Sequence, residues 1–295
     1  MNILITGASS YIGTYLLKKL SKSKHKVHGI YNSNPVSYEN IRLIKYDITD
    51  QSHLDNIFNS TKPDVVFHLA SVTPTRITNE DDNYITYFNH KVTEQIAKLS
   101  SLSNSLLVYT STDLVYESSD KMINEDSKLK PVTIYAKTKL LGENAVREFA
   151  DKHVVLRSSL VYGFTISKYK SFFDESFEIM KRGEEFTAFT DMFRNPIYVE
   201  DLVENLLKVA ELYKKNITMN FGGNETMSRY DMCIAMAEEF GLDKNLIKKG
   251  SCDDFTGHSL VKSLKLDTRR MKAFGLKTDS FAKNLQRSKK YLPAS

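Results

Sequence analysis

Two side chains suited to acid–base chemistry stand four residues apart in the segment TIYAKTKLLGE, Tyr135 and Lys139. At this spacing they would share one face of a helix, with Cβ atoms about 5–6 Å apart. An ammonium beside a phenol in a partly dry pocket favours the ionised phenol, so we expect the tyrosine pKa to fall from about 10 toward neutral pH. The pair predicts a general acid, with chance surface packing as the alternative.

The helix that would position this pair is predicted to begin near Pro131, with Leu140, Leu141 and Ala145 on its apolar side. Before it, β-branched strand patterns alternate with helical patterns such as GTYLLKKLSK and YFNHKVTEQIAKLSSL. The strand patterns are NILIT, KVHGIY, RLIKYD, DVVFHLA, LLVYTS and HVVLRSS. This alternation predicts an α/β fold, with a parallel sheet covered by helices on both faces over residues 1–159.

The regular alternation of strand and helix patterns ends after Tyr162, which indicates a smaller and more irregular second lobe over residues 160–295. Within it, TMNFGG is a candidate strand. A helix follows, with Ser228 as its N-cap and Gly241 as its C-terminal stop. Residues 190–214 are expected to return to the first domain.

Composition narrows the class of protein. The 295 residues carry a formal charge of +5, which is too mild and too dispersed to indicate nucleic acid, whereas a small anionic ligand fits. No apolar run is long enough to span a membrane, and the N-terminus lacks a signal-peptide pattern, so we expect a cytoplasmic protein without a membrane partner. Cys233 and Cys252 have no metal-ligand spacing, so we expect structural thiols and no metal.

A strand-to-helix turn near the N-terminus, TGASSYIG, is typical of dinucleotide binding. Gly7 would allow a tight turn and Gly13 a close helix–strand contact, with phosphate at the helix N-terminus. Ser10 stands where a middle glycine is usual, which leaves the phosphate geometry open.

The end of the second predicted strand indicates which dinucleotide fits. NAD sites usually offer a carboxylate there for the ribose hydroxyls. This chain has Asn32 and Ser33 instead, which can bond a ribose phosphate without repelling it. The sequence therefore favours NADP(H), although no arginine is present, and NAD(H) stays possible.

Taken together, these segments resemble the extended short-chain dehydrogenase/reductases, and within them the dTDP-4-dehydrorhamnose reductase-like branch. The resemblance covers nearly the whole chain. It rests on TGASSYIG, YDITD, HLAS, FNHKVTEQIAK, STDLVYES, YAKTKLLGE, LRSSLVYG, RNPIYVEDL, GGNETMSRYDMCIAMAEEFGL and KLDTRRMKAFGL. It implies a Rossmann-type doubly wound parallel sheet with a smaller α/β C-terminal substrate lobe.

The resemblance also implies roles for individual residues. The catalytic set would be Thr112, Tyr135 and Lys139, with Ser111 as the alternative to Thr112. The cofactor contacts would be Gly7, Ser9, Ser10, Tyr11, Ile12, Gly13, Asn32, Ser33, Asp47, Ile48, Leu69, Ala70, Ser71, Thr110, Tyr135, Lys139 and Leu160. The substrate contacts would be Arg76, Thr112, Asp113, Val161, Arg194 and Asn195. Asn89 is expected to be mainly structural.

The implied reaction is reduction of a ketone in a nucleotide-linked 4-keto-6-deoxy sugar. Sugar-nucleotide dehydratases carry Asp-Glu after the threonine, whereas here Asp113 is followed by Leu114. One elimination reagent is therefore absent, and Asp113 has either a functional or a structural role. For Arg194, a salt bridge to Glu200 or Asp201 is the alternative to substrate contact.

Two other functions stay open. A sugar-nucleotide epimerase would keep NAD tightly bound through turnover. A non-catalytic NADP-binding regulatory subunit is the second, because the segment GGNETMSRYDMCIAMAEEFGL also resembles the β subunit of methionine adenosyltransferase. The expected partner is a nucleotide-diphosphate sugar, and a homodimer is possible.

Overall fold

The computed structural model describes residues 1–73, 81–254 and 261–292. The chain forms two compact units. The first comprises Met1–Val115, Pro131–Arg157 and Val203–Met219, and the second comprises Tyr116–Lys130, Ser158–Leu202 and the described residues from 220 onward. The boundary expected at residue 159 differs in that residues 116–130 belong to the second unit and the return begins at Val203. Which unit binds nucleotide and which binds substrate stays a prediction.

The strands are short, as expected for an α/β chain. They are β1 (Asn2–Thr6), β2 (Lys26–Tyr31), β3 (Ile41–Lys45), β4 (Val65–His68), β5 (Leu106–Thr112), β6 (Ser119–Ile123), β7 (His153–Ser158), β8 (Val161–Tyr162), β9 (Phe186–Phe189), β10 (Phe193–Arg194), β11 (Ile197–Tyr198), β12 (Ile217–Phe221), β13 (Met227–Ser228), β14 (Ile247–Gly250) and β15 (Leu264–Leu266).

The α-helices alternate with the early strands and dominate the later part of the chain. They are α1 (Tyr11–Leu20), α2 (Leu54–Thr61), α3 (Asp82–Thr86), α4 (Val92–Leu102), α5 (Ile134–Phe149), α6 (Phe172–Lys181), α7 (Val199–Leu212), α8 (Arg229–Phe240), α9 (Arg269–Ala273) and α10 (Phe281–Ser288). None of the helices in the described ranges is long and apolar enough to cross a membrane.

Seven strands form one sheet in the order β3-β2-β1-β4-β5-β7-β12. The pairings of β1 with β2 and β4, of β2 with β3, and of β4 with β5 are parallel. The strand order reverses between β1 and β4, and ligands of such sheets bind beyond the carboxyl ends of the strands at this point. The Rossmann-type sheet is confirmed, with β12 added at its edge by a late segment of the chain.

The first unit has its core between this sheet and the apolar faces of α2, α4 and α5. The strands contribute Leu4, Val66, Leu107 and Val155, and the helices contribute Phe58, Ile96 and Val146, all of them buried. Each such side chain stabilises the fold by about 1.5–3 kcal/mol relative to exposure.

Helix α5 starts three residues later than its sequence suggested. Thr133, not Pro131, precedes the first turn, and the Thr133 hydroxyl accepts a hydrogen bond from the Ala136 amide at 3.1 Å. The threonine cap is the physical reason, because it satisfies an amide that the first turn leaves without a helical partner.

The segment YFNHKVTEQIAKLSSL also differs from the single helix that was expected. Residues Tyr87–Lys91 form a π-helical turn before α4. Such a turn inserts one residue into the helical ladder and changes which side chains face inward. Asn89 lies within it and is buried.

The second unit is built from two-stranded sheets and helices. Three strand pairs are parallel, β8–β11, β9–β14 and β6–β15, and one is antiparallel, β10–β13. Helix α8 has the expected ends, because Ser228 and Asp231 form a capping box and Gly241 ends the helix with φ +67°. Cys233 and Cys252 are buried, and burial raises the pKa of both thiols to about 11, which fits structural thiols.

Candidate active site

The glycine turn lies where β1 ends, at the reversal of the sheet. Gly7 has φ +69°, and a Cβ there would lie 2.7 Å from the amide nitrogen of Ala70. A Cβ on Gly13 would lie 2.2 Å from the Gly7 carbonyl oxygen. Both positions therefore require glycine, one for its conformation and both for close packing.

Ser10, which stands where a middle glycine is usual, is the N-cap of α1. Its hydroxyl accepts a hydrogen bond from the Gly13 amide at 3.1 Å, and its extended backbone starts α1. Ser9, Tyr11 and Ile12 are partly exposed beside it. The loop thus presents the positive end of α1 at the carboxyl edge of the sheet, as an anion site requires.

The ends of β2 and β3 bring two of the predicted cofactor residues together. The Asn32 amide donates to the Asp47 carboxylate at 3.3 Å, and the same carboxylate accepts from the backbone amide of Thr49 at 2.9 Å. Ser33 is exposed beside Asn32, whereas Ile48 is buried in the core. A carboxylate therefore lies at this end of the sheet, although it follows β3 rather than β2.

The loop after β4 is fixed to the neighbouring strands. The Leu69 amide donates to the Thr6 carbonyl at 3.3 Å, and the Thr110 hydroxyl donates to the His68 carbonyl at 3.2 Å. The His68 ring is buried between the Thr6 and Thr93 hydroxyls, at 2.6 and 3.0 Å. Burial lowers the pKa of His68 to about 3, so its ring is neutral and structural.

Asn89 connects this loop with α5. Its side-chain oxygen accepts from the Ser71 hydroxyl at 3.0 Å and from the Val72 amide at 2.9 Å. Its side-chain nitrogen donates to the Val72 carbonyl and to the Thr138 hydroxyl, both at 3.1 Å. The π-helical turn thereby holds Ser71 at a fixed place relative to the helix that carries Tyr135.

The Tyr135 phenol faces the hydroxyls of Thr112 and Ser71 and the carboxylate of Asp113. Thr112 lies at the end of β5, where its hydroxyl accepts from the Leu114 amide at 3.2 Å and lies 3.4 Å from the Asp113 carboxylate. Three predicted site residues from β5, the turn after it and α5 are therefore brought together around one phenolic oxygen.

The expected fall in the pKa of Tyr135 is wrong. Burial raises this pKa above its usual value, the Asp113 carboxylate raises it further, and hydrogen bonding to Thr112 and Ser71 offsets only part of the rise. The phenol is thus fully protonated at neutral pH, ready to donate a proton.

Lys139 shares the Tyr135 face of α5 but contacts a different group. Its ammonium lies 4.1 Å from the centre of the Tyr109 ring, a distance typical of a cation–π contact. The Tyr109 hydroxyl donates to the Lys139 carbonyl at 3.4 Å. Burial lowers the pKa of Lys139 to about 7, while the carboxylate of Glu143 acts in the opposite direction.

Two ionised residues near this site were missed by the sequence reasoning. Glu143 and Arg157 are buried and form an ion pair at 2.9 Å, which Ser111 joins through a hydrogen bond of 2.6 Å to Glu143. The spacing of Glu143 was a usable signal, because it follows Lys139 by four residues and Tyr135 by eight. Arg157 offered no local signal, since its contact depends on how the strand and the helix pack.

Arg194 in the second unit is occupied by the backbone. Its guanidinium donates to the carbonyls of Phe193, Lys262 and Val261, at 2.7, 3.0 and 2.6 Å. Glu200 and Asp201 were the alternative salt-bridge partners expected for Arg194. Those acids pair with Arg287, and Glu200 also pairs with Lys290.

Asn195 is buried and holds its own unit together. Its side-chain oxygen accepts from the Leu266 amide at 2.8 Å, and its backbone amide donates to the Ser159 hydroxyl at 3.2 Å. The Leu160 carbonyl accepts from the Ile197 amide at 2.8 Å, and Val161 pairs with Ile197 in β8–β11.

Arg76, the remaining predicted substrate contact, lies outside the described residues. Substrate and cofactor contacts of Arg194, Asn195, Leu160 and Val161 stay predictions.

These features define a class of protein. A doubly wound parallel sheet, a glycine turn at its reversal point and a Tyr-x-x-x-Lys helix beside β5 are the architecture of the extended short-chain dehydrogenase/reductase superfamily. The model of the RmlD substrate binding domain family matches residues 1–291, and the chain belongs to that family.

Three comparisons illustrate the range of its relatives. Methionine adenosyltransferase 2 subunit beta of Xenopus tropicalis is 27% identical over 252 residues, which cover 83% of this chain and 74% of that protein. A dTDP-4-dehydrorhamnose reductase from Clostridium acetobutylicum superposes with a TM-score of 0.84 at 23% identity and 99% coverage of both chains. A UDP-glucose 4-epimerase from Thermotoga maritima, solved with UDP-glucose, has a TM-score of 0.84 at 24% identity, covering 99% of this chain and 98% of its own.

Proposed function

We propose that this protein reduces the ketone of a nucleotide-linked 4-keto-6-deoxy sugar with a nicotinamide cofactor, NADPH in preference to NADH. The observation that carries the proposal is the group of Thr112, Asp113 and Tyr135 around one phenolic oxygen, on the same sheet edge as the glycine turn. A binding module has no chemical need for a partly buried, protonated phenol at that place.

The residues of the first unit fit a dinucleotide. The N-terminus of α1 offers amides and a positive dipole end for the diphosphate, and Asn32 and Asp47 offer polar groups for the ribose and adenine end. Ser71 and Thr110 line the strand ends between these places and Tyr135. A reduced nicotinamide held by these residues would supply the hydride that the carbonyl carbon of the sugar accepts.

Tyr135 supplies the proton that this reaction requires. Its phenol donates to the carbonyl oxygen as negative charge develops there, and the Thr112 hydroxyl donates a second hydrogen bond to the same oxygen. Burial keeps the phenol protonated in the resting site. Lys139 lies buried one helical turn away and would hold the cofactor ribose, as the family resemblance implies.

The position after Asp113 separates reduction from dehydration. Eliminating water from a sugar takes an acid and a base, and the family resemblance implies that dehydratases carry two carboxyl residues here. Leu114 follows Asp113 in this chain. A reductase retains every group it needs, whereas a dehydratase loses one.

Two other functions have support of their own. The likeness to a UDP-glucose epimerase fold supports an epimerase, which would retain NAD through purification and turnover. The curated relative with 27% identity is the beta subunit of a methionine adenosyltransferase, which supports a regulatory subunit that binds NADP without turnover.

Steady-state oxidation of NADPH and NADH by the purified protein tests the proposal, with dTDP-, GDP- and UDP-linked 4-keto-6-deoxy sugars as substrates. We expect one sugar nucleotide to drive NADPH oxidation and Tyr135→Phe to abolish it. Tyr84→Phe is the matched control, because that tyrosine is 39% exposed on α3. Cofactor binding without turnover on any sugar would refute the reductase and favour the regulatory subunit, and NAD retained after purification would favour the epimerase.

A further inference from the structure

A buried carboxylate that the proposed mechanism does not use lies one helical turn beyond Lys139. Glu143 is fully buried, and its Oε1 accepts hydrogen bonds from the Ser111 hydroxyl at 2.6 Å and from Arg157 Nε at 3.0 Å. Its Oε2 accepts from Arg157 Nη2 at 2.9 Å and from Arg147 Nη2 at 2.6 Å. Every acceptor direction of one carboxylate is thus committed.

The partners of Glu143 belong to the elements that carry the candidate catalytic groups. Ser111 immediately precedes Thr112 on β5, and Arg157 is on β7, the neighbouring strand of the sheet. Glu143 itself is on α5, four residues after Lys139 and eight after Tyr135. One carboxylate therefore ties two strands to the helix at the level of the site.

We propose that Glu143 is a positioning residue of this site, which fixes Thr112 relative to α5 through Ser111 and supplies the negative charge that favours the ammonium form of Lys139. This inference rests on the proposed function as far as turnover is concerned. Its electrostatic half concerns Lys139 alone and can be tested in the protein without substrate.

Charge supports the second half of the proposal. Burial works against an ionised Glu143, but the hydrogen bonds from Arg157 and the charges around it outweigh burial and keep the pKa of Glu143 below its usual value. The carboxylate is therefore charged at neutral pH. Residues four apart on a helix are neighbours, so this charge acts directly on Lys139, whose pKa it raises against the effect of burial.

Among the described groups that face Lys139 from the surrounding elements, Glu143 is the one whose negative charge acts on it. Tyr109 from β5 presents the face of its ring, His68 from β4 is neutral, and the Tyr135 phenol on α5 is protonated. Arg157 on β7 is cationic and is paired with the same carboxylate. The Asp113 carboxylate acts on Tyr135.

Isotope-labelled lysine side chains observed by NMR during a pH titration test the charge. The Lys139 signal is assigned by its loss in Lys139→Arg. We expect Glu143→Gln to lower the pKa of Lys139 by about one unit or more, while Glu148→Gln, an exposed residue on the same helix, leaves it unchanged. A Lys139 that titrates as in the wild type after loss of the carboxylate would overturn the charge assignment.

Glu143→Gln alone leaves Arg157 as an unpaired buried cation and endangers folding. The double variant Glu143→Gln with Arg157→Gln removes both charges together and is the second test. If it folds, the pKa of Lys139 should again fall. Glu143→Asp keeps a carboxylate and should restore most of the wild-type titration, which a purely steric role for Glu143 would not require.

Ser111→Ala tests the geometric half. It removes the hydrogen bond from β5 and keeps the charge of Glu143, so we expect kcat to fall about tenfold or more with KM little changed. A rise in KM with an unchanged kcat would contradict positioning. If the wild type reduces no sugar nucleotide, the proposed function fails, and the Lys139 titrations still decide the role of Glu143.

Discussion

Two regions chosen from the sequence by the same reasoning use their buried polar side chains in opposite ways. In the first unit, Thr112, Asp113 and Tyr135 direct hydroxyl, carboxylate and phenol toward one another at the carboxyl end of β5. In the second unit, Arg194 and Asn195 direct theirs to backbone carbonyls and amides of their own unit.

The difference teaches how to separate chemistry from architecture among buried polar groups. A side chain bound to backbone groups satisfies them, and removing it leaves buried polar atoms without partners. A side chain that faces other ionisable side chains instead changes their pKa values and can transfer protons. By this criterion we propose the first region as the reactive site and the second as a structural support.

After the loss of activity expected for Tyr135→Phe, the next largest effect should come from removing the hydroxyl of Thr112. Thr112→Val keeps the shape but removes a donor to the developing alkoxide, so kcat should fall about 10²–10³-fold, equivalent to about 3–4 kcal/mol. Steady-state kinetics with whichever sugar nucleotide drives NADPH oxidation measure it, and Thr112→Ser is the matched control that retains a hydroxyl. An unchanged kcat in the valine variant would remove this threonine from the reactive site.

Arg194→Met is expected to act on stability instead. Three carbonyls, one buried and two partly buried, lose their donor, so the free energy of unfolding should fall by about 3 kcal/mol while the KM of the folded fraction stays constant. Urea unfolding and kinetics check both. Arg182→Met, which removes an exposed pair with Glu184, is the control and should change little. A much larger KM at unchanged stability would make Arg194 a substrate contact and end the contrast between the regions.

The pH dependence of stability should carry the signature of Lys139. The unfolded chain holds this proton up to a pKa near 10.5, and the folded chain releases it near 7. The unfolded state therefore binds more protons between these values, so stability rises with pH there. We expect this lysine to contribute a rise of about 1.5 kcal/mol between about pH 7 and about pH 8.5.

Urea unfolding at the two pH values, in the wild type and in Lys139→Met, measures this contribution as the difference between their slopes. Equal slopes would show that the lysine is not desolvated. The reactive region would then lack the electrostatic property that distinguishes it here.

The smallest effects concern two serines that cap helices, Ser10 in the first unit and Ser228 in the second. Ser10→Ala and Ser228→Ala should each cost about 1 kcal/mol in the free energy of unfolding, because each removes the acceptor of a helix-capping hydrogen bond. Only Ser10→Ala should also change NADPH affinity, measured by fluorescence titration. Equal affinities in both variants would place the phosphates elsewhere.

Features that depend on residues close together in the chain could be predicted from the sequence. The shared helix face of Tyr135 and Lys139 follows from the helical period, and the left-handed turn at Gly7 follows from glycine at the end of a strand. Both are local. The seven-stranded sheet followed from the alternation of patterns, apart from its edge strand β12, which joins from far along the chain.

The predictions failed for properties that are set by contacts between residues far apart in the chain. The pKa of Tyr135 is set by burial and by Asp113, neither of which its helix reveals, so its direction was predicted wrongly. The partners of Arg194 come from residues 261 and 262, far along the chain. The ion pair of Glu143 and Arg157 joins a helix to a strand and could be anticipated only through the spacing of Glu143.

Transfer of deuterium from NADPH labelled at C4 of its nicotinamide tests the central claim most directly, with the product sugar nucleotide analysed by mass spectrometry. The account predicts one deuterium on the product, at the carbon that was the ketone, and none with Tyr135→Phe. A product without deuterium, or labelled NADPH that binds and is never consumed, would contradict it.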